Sequence, residues 1–120
     1  MPEVRSVLVI DDNELIAAAT CRLLDTFGCT AMACSNPMAA IQTIELLKPD
    51  VIFVDITMPG MNGLELIALV RKQTHVPCRV VALTGHADEL TRQQCTDAGF
   101  DAFLAKPATE ANLEAVLRKC

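Results

Sequence analysis

The 120-residue chain contains no tryptophan and no tyrosine, and four phenylalanines are its only aromatic residues. Indole and phenol fluorescence are excluded as reporters. No run of about 18 apolar residues occurs, which excludes a membrane-spanning helix. A basic stretch followed by an apolar one is also missing near Met1, so no secretory signal is visible and a cytoplasmic location is expected. Lys and Arg number 10 against 15 Asp and Glu, a formal net charge of −5. That balance lacks the basic footprint that direct binding of DNA or RNA requires. An acidic domain suits a metal or a protein partner better.

Other absences narrow the chemistry. The six cysteines (Cys21, Cys29, Cys34, Cys78, Cys95 and Cys120) form no C-x-x-C pair and no zinc-type cluster with histidine. With no export signal and ample apolar content, they read as reduced thiols rather than a disulfide framework, with Cys120 the one most exposed to adventitious crosslinking. Neither G-x-G-x-x-G nor G-x-x-x-x-G-K-[ST] occurs, so a nucleotide-binding domain lacks support.

What is present is a chain 52% hydrophobic, of a length that fits one domain over residues 1–120. Residues 5–10 (RSVLVI) read as a strand. Residues 13–27 carry apolar side chains at helical spacing, Leu15, Ile16, Ala19, Leu23 and Leu24, and Gly28 closes them. A weaker strand follows at 29–34, then a helix capped by Ser35 or Asn36, with Pro37 in its first turn, running to about Leu47. VIFV at 51–54 is a continuous apolar run of the kind buried on both faces of a parallel sheet. A helix over about 63–72, a strand at 78–83, a helix over about 88–98 closed by Gly99, a strand at 102–105 and a helix capped by Thr109 complete the alternation. Five β-α units with right-handed crossovers are too few for an eight-stranded barrel, leaving an α/β doubly wound open sheet.

In such sheets ligands bind outside the carboxyl ends of the strands. Four of the five strands end on Asp11-Asp12, Asp55, Thr84 and Lys106. Each has an ordinary explanation by itself: a helix cap, a turn residue, a β-branched strand end, a solvated lysine. Jointly they place three carboxylates, a hydroxyl and an ammonium at one crevice, a set suited to a hard divalent cation and a phosphoryl group. Asp12 and Asp55 could ligate Mg²⁺ directly and Asp11 through water, and an Asp55 oxygen could attack phosphorus. Thr84 and Lys106 would hold phosphoryl oxygens.

The segments VLVIDDNEL, VIFVDITMPGMNG, VVALTGHAD and DAFLAKP resemble, in order and spacing, the receiver domain of bacterial two-component response regulators. The resemblance covers essentially the whole chain and implies a flavodoxin-like (βα)₅ fold with a five-stranded parallel sheet in the order 2-1-3-4-5. It implies that Asp55 is the phosphoacceptor, that Asp11, Asp12, Asp55 and the Thr57 backbone carbonyl hold Mg²⁺, with Mn²⁺ or Ca²⁺ able to substitute, and that Thr84 and Lys106 sense the phosphate. Phe103 takes the place of a switch aromatic, and Lys106-Pro107 that of a cis peptide bond, which only an X-Pro bond makes cheap. Thr57 and His86 lie where attacking water approaches and are candidates for tuning the phosphorylated lifetime; His86 also reads as a solvated loop residue.

The implied function is phosphorelay signalling. The phosphodonor is a sensor histidine kinase or a histidine phosphotransfer protein, and the response reaches the face of the fourth helix, fifth strand and fifth helix. The domain would catalyse its own phosphorylation and dephosphorylation without turning over a metabolite, as a monomer or weak dimer, alone or as part of a hybrid histidine kinase. A haloacid dehalogenase-type hydrolase also forms an aspartyl phosphate, but needs an acid two residues beyond the nucleophile, where this chain has Thr57. A receiver fold serving as a phosphorylation-independent interaction module is the remaining alternative.

Overall fold

The computed structural model describes residues 6–56, 63–73, 78–85 and 88–118. Five strands, β1 (Ser6–Ile10), β2 (Thr30–Cys34), β3 (Val51–Asp55), β4 (Arg79–Thr84) and β5 (Ala102–Ala105), pair in parallel in the order 2-1-3-4-5. The helices are α1 (Glu14–Asp25), α2 (Ala40–Leu47), α3 (Gly63–Gln73), α4 (Glu89–Ala98) and α5 (Glu110–Arg118). This is the flavodoxin-like doubly wound sheet.

Two cores follow from the two-residue period of a strand. Leu8, Ile10, Ile52, Val54, Val80 and Ala82 face one side, packed with Ile44 of α2 and Leu66, Ile67 and Val70 of α3. Val7, Val9, Val51, Phe53, Val81 and Leu83 face the other, packed with Leu24 of α1 and Leu113 and Leu117 of α5. Strand β3 is buried along its whole length, which accounts for its unbroken apolar sequence. Strand β2 lies at the sheet edge with Thr30, Met32 and Ala33 exposed, matching its weaker pattern.

Local chemistry sets the element ends. Asn13, not the acidic pair, caps α1: its Oδ1 accepts from Leu15 N at 3.0 Å and Ile16 N at 3.1 Å. Asn36 accepts from Met38 N at 2.9 Å, Asp88 from Thr91 N at 2.7 Å, and Thr109 Oγ1 from Asn112 N at 3.1 Å. Two readings are corrected. The stretch beginning at Pro37 is not one α-helix, because Pro37–Ala39 form a 3₁₀ turn before α2. In α1 the buried residues are Ala17, Thr20 and Leu24, while Leu15 is 83% exposed and Ile16 is also exposed. Small residues at 17 and 20 let the helix lie close to the sheet, turning the larger apolar pair outward. Among the described residues, no helix is long and apolar enough to cross a membrane.

Candidate functional site

The strand order brings the carboxyl ends of β1 and β3 side by side, and β4 and β5 follow. Asp11 leaves β1 fully buried, fixed from two directions: its backbone N donates to Cys34 O at 3.1 Å, and its Oδ1 accepts from Asn13 N at 2.9 Å. Asp12 is exposed beside it. Asp55 ends β3 at 4% exposure, and the strand's pairing continues through Ile56 N, which donates to Leu83 O at 3.0 Å. One carboxylate oxygen from each of Asp11, Asp12 and Asp55 lies within 4.8 Å of the others.

Lys106 closes the cluster. Its backbone N donates to Thr84 O at 2.7 Å, tying the end of β5 to the end of β4. Its Nζ donates to Asp11 Oδ2 at 3.1 Å and to Asp55 Oδ2 at 3.0 Å. Burial alone would lower the Lys106 pKa, but hydrogen bonds to Asp55 and Asp11, with their charges, outweigh it and raise the value above the ordinary lysine range. The ammonium is therefore a fixed positive charge between two buried anions at any physiological pH.

Glycine at position 63 is dictated by this geometry. Its N donates to Ile56 O at 3.1 Å, and a Cβ there would meet Ile56 Cα at 2.6 Å and Asp55 O at 3.0 Å. The chain returning from the segment after Asp55 thus passes directly against the backbone that positions the carboxylate.

Of the residues singled out in the sequence, the structure gathers Asp11, Asp12, Asp55 and Lys106 directly. Thr84 is buried at the carboxyl end of β4, beside Ala105 in the sheet register. Phe103 is half-buried against the α2-α3 core and lines an open groove between α4 and β5. The Lys106-Pro107 bond is cis. Thr57, with its carbonyl, His86 and Cys120 lie outside the described residues. Of the cysteines, Cys29, Cys34 and Cys95 are buried and Cys21 and Cys78 half-buried, all as free thiols. Two features escaped the sequence reading. The Asn13 cap was masked by the equally good capping acids before it, and an ion pair between Arg71 and Asp101 joins residues 30 apart with no local signal.

The donor set of three clustered carboxylates consists of hard oxygen ligands and fits a small divalent cation such as Mg²⁺. The same ammonium that bonds both Asp11 and Asp55 is a hydrogen-bond donor within that cluster.

Known proteins similar to this chain in sequence and shape are consistent in kind. Residues 7–118 match the family model described as the response regulator receiver domain. The chain is 33% identical over 122 residues to hybrid signal transduction histidine kinase C of Dictyostelium discoideum, covering 94% of this chain and 10% of that protein. It is 32% identical to the sensor histidine kinase GacS of Pseudomonas protegens, covering 94% of this chain and 13% of that protein. It thus spans only a small part of these curated relatives. Among solved structures, chemotaxis protein CheY4 of Vibrio cholerae superposes with a TM-score of 0.86 at 25% identity, covering 98% of both chains. The signal receiver domain of NarL from Mycobacterium tuberculosis gives 0.84 at 31% identity, covering 98% of this chain and 97% of that one. With five parallel strands in the order 2-1-3-4-5 and an acidic cluster at their carboxyl ends, this chain belongs to the response regulator receiver domain family of two-component signal transduction.

Proposed function

We propose that the domain accepts a phosphoryl group on Asp55, in the presence of Mg²⁺, from a phosphohistidine of a sensor histidine kinase or a histidine phosphotransfer protein. The observation that carries this reading is Lys106 Nζ bridging Asp11 and Asp55 at 3.1 and 3.0 Å within a three-carboxylate cluster. In the transfer, an Asp55 oxygen bonds to phosphorus as the P–N bond breaks, and the imidazole leaves with the electron pair and takes up a proton. Burial at the end of β3 holds Asp55 in place for in-line attack, and Lys106 stabilises the charge that gathers on the phosphoryl oxygens. Asp11, Asp12 and Asp55, with the Thr57 carbonyl, would hold Mg²⁺ (or Mn²⁺ or Ca²⁺), whose charge offsets the repulsion between carboxylates and phosphoryl group. Without that cation, three carboxylates against one ammonium leave the pocket net negative and hostile to an incoming anion.

Hydrolysis of the acyl phosphate would reset the domain, so it would process only its own modification. Thr84 and Lys106 would register the phosphoryl group and Phe103 would repack, passing the change to the α4-β5-α5 face. Two of the relatives are named as histidine kinases, which supports placing this receiver in a hybrid kinase or a relay fed by one; a cytoplasmic location and a monomer or weak dimer complete the proposal. Intact-mass spectrometry after incubation with phosphoramidate and Mg²⁺ tests the assignment. One phosphoryl group should add to the wild type and none to Asp55→Asn, since an amide is a far poorer nucleophile. An unlabelled wild type would favour the phosphorylation-independent interaction module.

A further inference from the structure

Asp11, Asp12 and Asn13 stand in a row before α1, and each of them is a good helix cap by residue type. The fold gives the cap to Asn13, which leaves both carboxylates to the crevice. Asn13 Oδ1 accepts from Leu15 N at 3.0 Å and Ile16 N at 3.1 Å, and its carbonyl accepts from Ala17 N at 3.0 Å. The first turn of α1 therefore holds this residue through side chain and backbone alike, in an extended conformation at φ −88° and ψ 105°. An aspartate at position 13 would satisfy the same amides but would put a third consecutive negative charge beside the cluster; the asparagine amide adds none.

The backbone N–H of Asn13 points the other way, into the cluster. It donates to Asp11 Oδ1 at 2.9 Å, while Lys106 Nζ donates to Asp11 Oδ2 at 3.1 Å. Asp11 is fully buried, and its own N–H is tied to Cys34 O at 3.1 Å, at the end of β2. Its carboxylate plane is thus fixed by two donors, one from the start of α1 and one from the end of β5. Turning that plane would take a buried charged oxygen away from its donor, which is costly. The two donors differ in stiffness: the lysine ammonium rides on a flexible stem and can follow the carboxylate, whereas the peptide N–H of a residue fixed at both ends cannot. The orientation of Asp11 is therefore set from the α1 side.

We propose that Asn13 is a positioning residue for the acidic cluster: by capping α1 with its side chain and holding Asp11 with its backbone N–H, it makes the first turn of the helix set the orientation of the Asp11 carboxylate, and with it the affinity for a small divalent cation. Residues that orient the groups around a metal change its affinity when they are lost. The coupling of cap to carboxylate stands on these contacts; its effect on the cation rests on the Mg²⁺ binding proposed above.

Two variants of the whole chain test this. Asn13→Ala removes the cap and keeps the backbone N–H, and Asn13→Ser restores an acceptor of nearly equal capping strength. In amide exchange on the metal-free protein, protection factors at positions 13, 15 and 16 should fall together by about fivefold in Asn13→Ala, the worth of roughly one cap, and return to within about twofold of wild type in Asn13→Ser. Protection lost at 15 and 16 but kept at 13 overturns the coupling. In an NMR titration with Mg²⁺ alone, under conditions where all three proteins are folded, Asn13→Ala should bind about fivefold more weakly and Asn13→Ser like wild type. A cap that served stability alone would lower the urea midpoint and leave that affinity unchanged, and this result overturns the positioning role. So does an Asn13→Ser protein that binds as weakly as Asn13→Ala. If the wild type itself takes up no Mg²⁺, the cation reading fails and the exchange arm alone decides whether Asn13 ties α1 to Asp11.

Discussion

Lys106 is the residue on which the site's electrostatics turn, because two buried carboxylates share its single ammonium. Replacing it with Met leaves Asp11 and Asp55 facing each other without a cation, a loss expected to cost about 1–3 kcal/mol, below the range for fully buried pairs because the lysine is partly exposed. Asp55→Asn keeps the Asp11–Lys106 pair and removes one like charge, so its urea midpoint should fall less than that of Lys106→Met. Equal losses in the two variants would contradict the shared-cation picture. Asp12, exposed and outside the lysine contacts, belongs to metal binding on the proposed reading. Asp12→Ala should weaken Mg²⁺ binding about tenfold in an NMR titration, the worth of roughly one weakly screened charge, with little effect on folding. These four residues were legible in the sequence because charged side chains recur at the ends of three apolar strands, although each alone has an ordinary explanation. The partner each one takes was not legible, since nothing local to Lys106 reveals which of three acids its ammonium will reach.

At the scale of elements, the close approach of Gly63, at the start of α3, to the end of β3 is unforgiving. In Gly63→Ala the new methyl must displace backbone of Ile56 and Asp55, and overpacking of that kind costs about 1–3 kcal/mol. Because the displaced backbone carries the proposed acceptor, labelling by phosphoramidate should slow in this variant even under conditions where it remains folded. A normal labelling rate would show that Asp55 tolerates the shift. Thr84 presents the opposite case. Thr84→Ala should still be labelled at Asp55, yet amide shifts along α4 and α5 should shrink without vanishing, because one hydroxyl contact to a charged oxygen, roughly 1.5–3 kcal/mol, falls short of the about 5.5 kcal/mol that a near-complete switch needs. Element order and type were readable from periodicity and caps, and β3 from its unbroken apolar run. The face of α1 was not: periodicity marks the larger apolar residues as inward, whereas close packing against a sheet selects Ala17 and Thr20 and turns Leu15 out.

Across the whole molecule, acid and base do not act alike. Burial raises the thiol pKa values of Cys21, Cys29, Cys78 and Cys95, and the Lys106 value is raised as well. In each case the folded state holds its proton more tightly than the unfolded chain. The stability this contributes is complete below the unfolded values, about 8.5 for thiols and 10.4 for lysine, and is lost as pH rises through the higher folded ones. Urea midpoints followed by far-UV circular dichroism should therefore decline above about pH 8.5, and Lys106→Met should remove only the most alkaline part of that decline. A midpoint constant to pH 11 in the wild type would exclude the linkage. The same burial should keep these four thiols slow toward iodoacetamide at neutral pH, where the thiolate is scarce.

Lys106 meets its two anionic partners across 95 and 51 residues of chain. A ribosome making this domain releases Asp11 and Asp55 well before it adds the lysine that they share. Contacts of such long range are late to form, since loop-closure entropy must be overcome before they contribute. The pocket is thus incomplete until β5 has docked on β4, and on the proposed reading competence to take up a phosphoryl group becomes a clock for the last step of folding. In a refolding experiment sampled with short pulses of phosphoramidate, labelling of Asp55 should lag behind the recovery of helical circular dichroism.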